Sequence, residues 1–254
     1  MLKKAVVFWV FSIFALPALA SYGLSGDFTY GNVRGFLQTP QGGTPGTSSY
    51  KRPSLKELGI KHSADYHVHA WYDWRKIRFF GDVNIIHIRK STTLQNSLTT
   101  HGVLIPAGSK ISSKVNFDWY QLGAGYNFIY HKLHITPFLS CAVLNFKYLI
   151  KNYIKSRNYR EFTPRIGVSA QYPFNNKLFL SGKIAASIPG INLNIITAQA
   201  KLNYLLINSH KIKPVVFVGT RYTYIDFKDK QTMPNYVRYI MSPAVVVGLS
   251  LAVM

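Results

Sequence analysis

Asp65, His67 and His69 sit two residues apart in the run Ala64-Asp65-Tyr66-His67-Val68-His69-Ala70-Trp71-Tyr72-Asp73-Trp74. In an extended chain alternate side chains share one face, so these three are neighbours. A histidine beside a carboxylate can act as a general base. Two histidines and an aspartate at this spacing also have the donor types of a metal site. The run supplies no further ligand, so no metal and no cofactor is expected, and His67 and His69 are read as a polar site. Every even position, from Ala64 through Tyr66, Val68, Ala70 and Tyr72 to Trp74, is apolar or aromatic. The segment therefore has one greasy face and one wet face, the mark of a strand.

That alternation returns along the whole chain. It predicts ten strands, at Gly26–Gln38, Lys61–Trp74, Ile77–Lys90, Lys114–Tyr130, Leu133–Tyr148, Arg160–Phe174, Lys177–Ile188, Ile195–Asn208, Lys211–Phe227 and Tyr236–Val253. Two strands break the pattern. The first falters at Asn32-Val33. The fourth changes phase near Tyr120-Gln121: Val115, Phe117 and Trp119 are apolar before it, and Leu122, Ala124, Tyr126 and Phe128 after it. One extra residue, a β-bulge, accounts for the change in the fourth strand; the break in the first marks a bulge or an early exit. Short connections (Asp73–Lys76, Tyr130–Lys132, Asn175–Asn176, Ser209–His210) alternate with longer ones (Thr39–Gly59, Ser91–Ser113, Ile150–Tyr159, Pro189–Asn194, Lys228–Asn235). Trp74, Phe128, Tyr130, Tyr172 and Phe174 gather at the short-turn ends. Phe162, Tyr222, Tyr224, Tyr236 and Tyr239 gather toward the other ends.

Met1 to Ala20 has the three parts of a secretory signal: Lys3 and Lys4, the apolar run Ala5–Leu16, and Ala18-Leu19-Ala20 before Ser21. The mature domain is then Ser21–Met254. Beyond the signal no stretch reaches the roughly 18 apolar residues of a spanning helix. Yet 48% of the chain is hydrophobic and only 15% is charged. An exported chain this apolar fits an all-β, antiparallel transmembrane barrel of ten strands, or eight if the first or last segment does not pair. Two aromatic belts suit that class and not a secreted β-sandwich. Cys141 is the only cysteine, so no internal disulfide forms; on the alternation it faces lipid. A net charge of +21 favours anionic partners. For an exported barrel these are phosphorylated lipid headgroups, lipopolysaccharide above all, or acidic glycans, and not nucleic acid.

On signal, alternation, loop asymmetry and belts the chain resembles the small outer-membrane β-barrels of Gram-negative bacteria, of the outer-membrane protein A and opacity-protein type. The likeness covers Ser21–Met254 and includes no diagnostic short motif. It implies an outer-membrane location, tight periplasmic turns, longer extracellular loops, and insertion by the barrel assembly machinery. Many such barrels end in Phe or Trp; this chain departs, ending Leu251-Ala252-Val253-Met254. Two barrel enzymes of that membrane invite comparison. Omptin proteases use acidic pairs with a His-Asp pair, for which Asp65, His67 and His69 are the nearest analogue, but no adjacent acidic pair exists here. Lipid A deacylases use Ser and His on the outer wall, but His62 and Ser63 are adjacent and point to opposite faces. No enzyme is expected, with a hydrolase of lipid A or peptides as the remote alternative.

The inward-facing charges are the informative ones. Asp65, Asp82, Asp118 and Glu161 fall on the wet face with Arg78, Arg165, Lys183, Lys201 and Arg221. Buried charges need partners, so an ion-paired lumen is expected. The outer loops carry Lys51, Arg52, Lys56, Lys151, Lys155, Arg157, Lys228 and Lys230, suited to phosphate or sulfate. The Gly-, Pro- and Thr-rich first loop, from Gln38 to Ser49, reads as mobile and exposed. The expected role is structural or surface-interacting, adhesin-like, with a narrow pore as the alternative.

Overall fold

The computed structural model describes residues 20–49, 52–207 and 211–253. The segment expected as a signal, Ala20 apart, lies outside them, as do Lys51 and the turn expected at Ser209–His210. The elements are β1 (Ala20–Gln38), β2 (His62–Trp74), β3 (Ile77–Thr93), β4 (Leu98–Thr100), β5 (Val103–Ile105), β6 (Lys110–Tyr126), β7 (Phe128–Tyr130), β8 (Leu133–Ile150), β9 (Ile154–Pro173), β10 (Leu178–Ser187), β11 (Leu193–Leu205), β12 (Ile212–Lys228) and β13 (Tyr236–Val253). Ten long strands, each antiparallel to its neighbours, close into one barrel, with β1 paired to β13 and β6 paired to β8. The short β7 extends the β6 edge, and β4 and β5 form a separate hairpin above the rim.

The wall has two zones. In the half that holds Ala20 and Val253, apolar side chains point out: Leu24, Phe28, Val68, Phe79, Leu122, Leu139, Ile166, Ile184, Val218, Val247 and Leu249 are exposed, Leu122 by 74%. Trp74, Tyr126, Phe128, Tyr130, Tyr172 and Phe174 edge this band at the short-turn end, and Tyr30, Tyr120 and Phe162 edge it at the other. Inside, the same half is polar.

Beyond Tyr120 the pattern inverts. Val33, Ile86, Ile88, Val115, Phe117, Leu144, Phe146, Tyr148, Ile195, Ile225, Phe227, Val237 and Tyr239 turn inward and form one buried apolar core. The outer face there is polar: His87, Arg89, Lys114, Lys147 and Arg160 alternate with those core residues.

This inversion corrects the reading of β6. No extra residue sits at Tyr120-Gln121; the register against β8 runs unbroken from Ser113↔Ile150 to Gly125↔Phe138. Val115, Phe117 and Trp119 face inward with Gln121 throughout, and the solvent changes rather than the phase. Tyr239 likewise belongs to the core, not to a belt.

The bulge expected in β1 lies in its partner. Register shifts by one residue between Gly31 and Val33 on one side of β13, and between Arg221 and Thr223 on the other. The β1–β2 pairing has no shift. The extra residue is therefore in β13, at Ser242-Pro243, where a missing N–H suits a break in the ladder.

The expected loop Ile150–Tyr159 is mostly strand. β8 and β9 turn over Lys151–Tyr153 alone, with Asn152 in the left-handed region (φ 70°), which asparagine tolerates. The first loop packs against the barrel mouth. Ser54 and Glu57 form a reciprocal cap: the Ser54 N–H donates to Glu57 Oε2 (2.7 Å) and the Glu57 N–H to Ser54 Oγ (3.1 Å). The single helical turn this starts drives Leu55 and Leu58 into the core. Thr39 meets Thr100 at 3.0 Å, and the Thr99 N–H donates to Ser49 Oγ at 2.8 Å, fastening the loop to the β4–β5 hairpin.

Candidate functional site

Inside the polar half, strands from opposite sides of the barrel meet through their charges. Asp27 on β1 is fully buried. Its carboxylate accepts from Lys201 Nζ at 3.0 Å and from Arg221 Nη2 at 3.0 Å, and lies 2.9 Å from His67 Nδ1. The His67 ring bridges to Asp82, with Nε2 at 2.9 Å. Asp82 also takes His69 Nδ1 at 2.8 Å and Lys183 Nζ at 3.1 Å. Asp65 faces Arg221 Nη1 at 3.7 Å.

The long cations span the bore over aromatic rings. Lys201 Nζ lies 4.1 Å from the Phe217 centroid, Lys183 Nζ 4.9 Å from that of Phe80, and the Arg165 guanidinium 5.0 Å from that of Trp119. Arg165, 1% exposed, donates to Gln121, to the Ala185 carbonyl (3.2 Å) and to Thr197 Oγ1 (2.8 Å). Among the described residues no carboxylate pairs with it.

The structure thus gathers Asp65, His67, His69, Asp82, Arg165, Lys183, Lys201 and Arg221 into one layer. It does not bring in three others. Arg78 points inward but at the short-turn mouth, in a bidentate pair with Asp73 (2.7 Å for both bonds) that Ser21 and Asn127 complete. Asp118 lies on the outer wall, 2.9 Å from His87 Nε2, because β6 has no bulge to turn it inward. Glu161 lies near the upper rim of the wall, where no cation reaches it among the described residues. Sequence reasoning missed Asp27 and Asp73. Asp27 alternates with the buried Ser25 and Thr29 on the inward face of β1, opposite His67. Asp73 was read as part of a turn.

The basic residues divide likewise. Arg52 stacks between Phe36 and Tyr236, at 4.9 and 4.5 Å from their centroids, and donates to Gln38. Lys56 lies in the helical turn and Lys151 in the β8–β9 turn; Lys155 and Arg157 are strand residues of β9, Lys228 ends β12, and Lys230 follows in the last loop. Sequence reasoning missed the outer wall above the aromatic belt. There His87, Asn116, Lys147 and Asn158 form one lateral row, with Asp118, Asn145 and Arg160 one rung below and Lys114 and Arg89 one rung above. Around the barrel Arg238 pairs with Asp226 at 2.7 Å and lies over Phe36.

No family model and no curated protein matches the chain. It is similar to solved outer-membrane β-barrels of Gram-negative bacteria. These include the outer membrane protease OmpT from Escherichia coli, at 10% identity and a TM-score of 0.45 over 91% of this chain and 96% of that one. Ail, the attachment invasion locus protein of Yersinia pestis, solved with the heparin analogue sucrose octasulfate, is 9% identical with a TM-score of 0.36, over 92% and 98%. Neisserial surface protein A is 13% identical with a TM-score of 0.34, over 92% and 97%. By its own unbroken strand pairing the chain is a closed, antiparallel, ten-stranded β-barrel.

Proposed function

We propose that this chain is an integral barrel of a Gram-negative outer membrane, delivered there by the cleavable segment Met1–Ala20, with a closed bore and a structural or surface-interacting role. The exposed apolar band between two aromatic edges is what a bilayer would cover. One observation carries the role: the bore is filled twice, by the ion-paired layer around Asp27 and Asp82 and by the apolar core above it. That leaves the outer wall and loops for recognition. Arg89, Lys114, Lys147 and Arg160 stand directly above the belt, at the height of phosphorylated headgroups, and suit lipopolysaccharide phosphates or acidic glycans by charge and hydrogen bonding. An enzyme is disfavoured because His67 is buried between two carboxylates, and His87 has no serine or cysteine bonded to it among the described residues.

In a planar bilayer the refolded barrel is expected to be electrically silent. A steady single-channel conductance would move the assignment to a narrow pore. Binding is tested with vesicles that carry intact or dephosphorylated lipopolysaccharide. Affinity for the phosphorylated form is expected to be about tenfold higher at low salt, and to fall as salt screens it. The double change Lys147→Gln, Arg160→Gln should remove most of that preference. Equal binding to both vesicles would overturn the headgroup assignment.

A further inference from the structure

Four buried N–H groups in the bore have no hydrogen-bond acceptor among the described residues: Asn84 Nδ2, Trp119 Nε1, Arg165 Nε and Arg221 Nη1, the last with Asp65 beyond bonding distance at 3.7 Å. The four side chains are each at least nine-tenths buried. They come from four different strands, β3, β6, β9 and β12, yet all line one small cavity of about 20 Å³. Buried donors left without partners are rare in folded proteins, because each forfeits its hydration. Four around one cavity point to something that belongs there.

Charge identifies it. The layer holds four fixed cations, Arg165, Lys183, Lys201 and Arg221, against three carboxylates, Asp27, Asp65 and Asp82. One positive charge is left over, and Arg165 is the cation without a carboxylate. The cavity has room for about one water-sized particle. A water molecule would accept two of the four donors and would then need acceptors for its own protons. The carboxylate and amide acceptors that line the cavity are engaged: Asp82 by Lys183 and both histidines, Gln121 by Arg165, and Gln199 by Arg221, which leaves the hydroxyls of Thr197 and Thr223 on its wall. A monatomic anion accepts from all four and donates nothing.

We propose that the bore binds one halide ion, chloride in the cell, between Arg165, Arg221, Asn84 and Trp119. The ion neutralises the surplus charge and ties four strands together without a covalent link.

The direct test is crystals of the refolded protein grown in sodium bromide, with diffraction collected at the bromine edge. A single anomalous peak inside this ring of four side chains is expected. Electron density for water with no anomalous signal there would overturn the proposal. In solution, thermal unfolding is followed as chloride replaces gluconate at constant ionic strength. The midpoint is expected to rise and saturate. Trp119→Phe keeps the ring's bulk but deletes one donor, and should shift the half-saturating chloride concentration upward about tenfold, a donor to a charged acceptor being worth about that much. Arg165→Gln should abolish the response if the variant folds. A midpoint that ignores chloride in the unaltered protein, or a Trp119→Phe response identical to it, would count against the site.

Discussion

Asp27→Ala should destabilise the barrel by about 3–5 kcal/mol, the cost of removing one partner from a buried ionic cluster. Asp27 accepts from Lys201 and Arg221 and contacts His67, and its side chain has no exposed surface. Truncation leaves Lys201 buried with no counter-charge and Arg221 with Asp65 alone, at 3.7 Å, and frees one nitrogen of a histidine. Most of the loss comes from those cations rather than from the missing bonds. The measurement is urea unfolding of the refolded protein in lipid vesicles. Glu161→Ala is the internal control: with no cation beside it among the described residues, its change is expected to stay within about 0.5 kcal/mol. A similar loss for both variants would mean that inward carboxylates act through net charge alone, and the specific cluster would lose its support.

Phe117→Ala is the second large effect, again about 3–5 kcal/mol, for a different reason. Phe117 is wholly buried, 5.1 Å from Phe146 and 4.8 Å from Tyr239 between ring centroids. The core there fills the barrel from β6 and β8 across to β13, so little can collapse into the space a lost ring would leave. The same unfolding measurement decides it. If Phe117 faced the bilayer, as a bulged β6 requires, truncation would cost far less. The variant therefore also tests the register of β6.

These two residues show what could be read in advance. The wall was legible wherever a strand runs between water-filled or charged interior and hydrocarbon, because alternation alone then fixes each face. That is why Asp65, His67, Asp82, Arg165, Lys183, Lys201 and Arg221 could be placed inward from their positions. Alternation fails as a guide where the outside becomes water. Val115 and Phe117 are apolar and Leu122 is apolar, yet they face opposite sides of one regular strand, and a reader who assumes one environment must invent an extra residue. Asp118 was misplaced by the same assumption. Which inward charges meet was not legible at all. Arg78 and Asp82 share a face, four residues apart, but barrel height separates their partners. The bulge was displaced by one strand because a register shift disturbs both neighbours, and only pairing on the two sides of β13 shows where the extra residue is.

The inverted half of the wall gives the molecule stature. On β9 the stretch from Phe162 at the upper belt to Ile154 at the turn covers eight steps, about 26 Å of strand at about 3.3 Å per residue. Inclined by about 40°, as barrel strands are, it rises about 20 Å above the exposed apolar band that the proposed function places in the bilayer. A hollow extension of that length would be soft, with little to hold its cross-section. This one is solid, since its apolar filling runs up to Ile150 and Ile154 at the tip. On the proposed placement the long strands run from hydrocarbon into water, and their apolar-filled upper part works as a rigid pedestal although β9 above Arg165 pairs with β8 alone. Whatever meets the last loop or the β8–β9 tip does so well clear of the lipid surface, at a fixed distance and orientation.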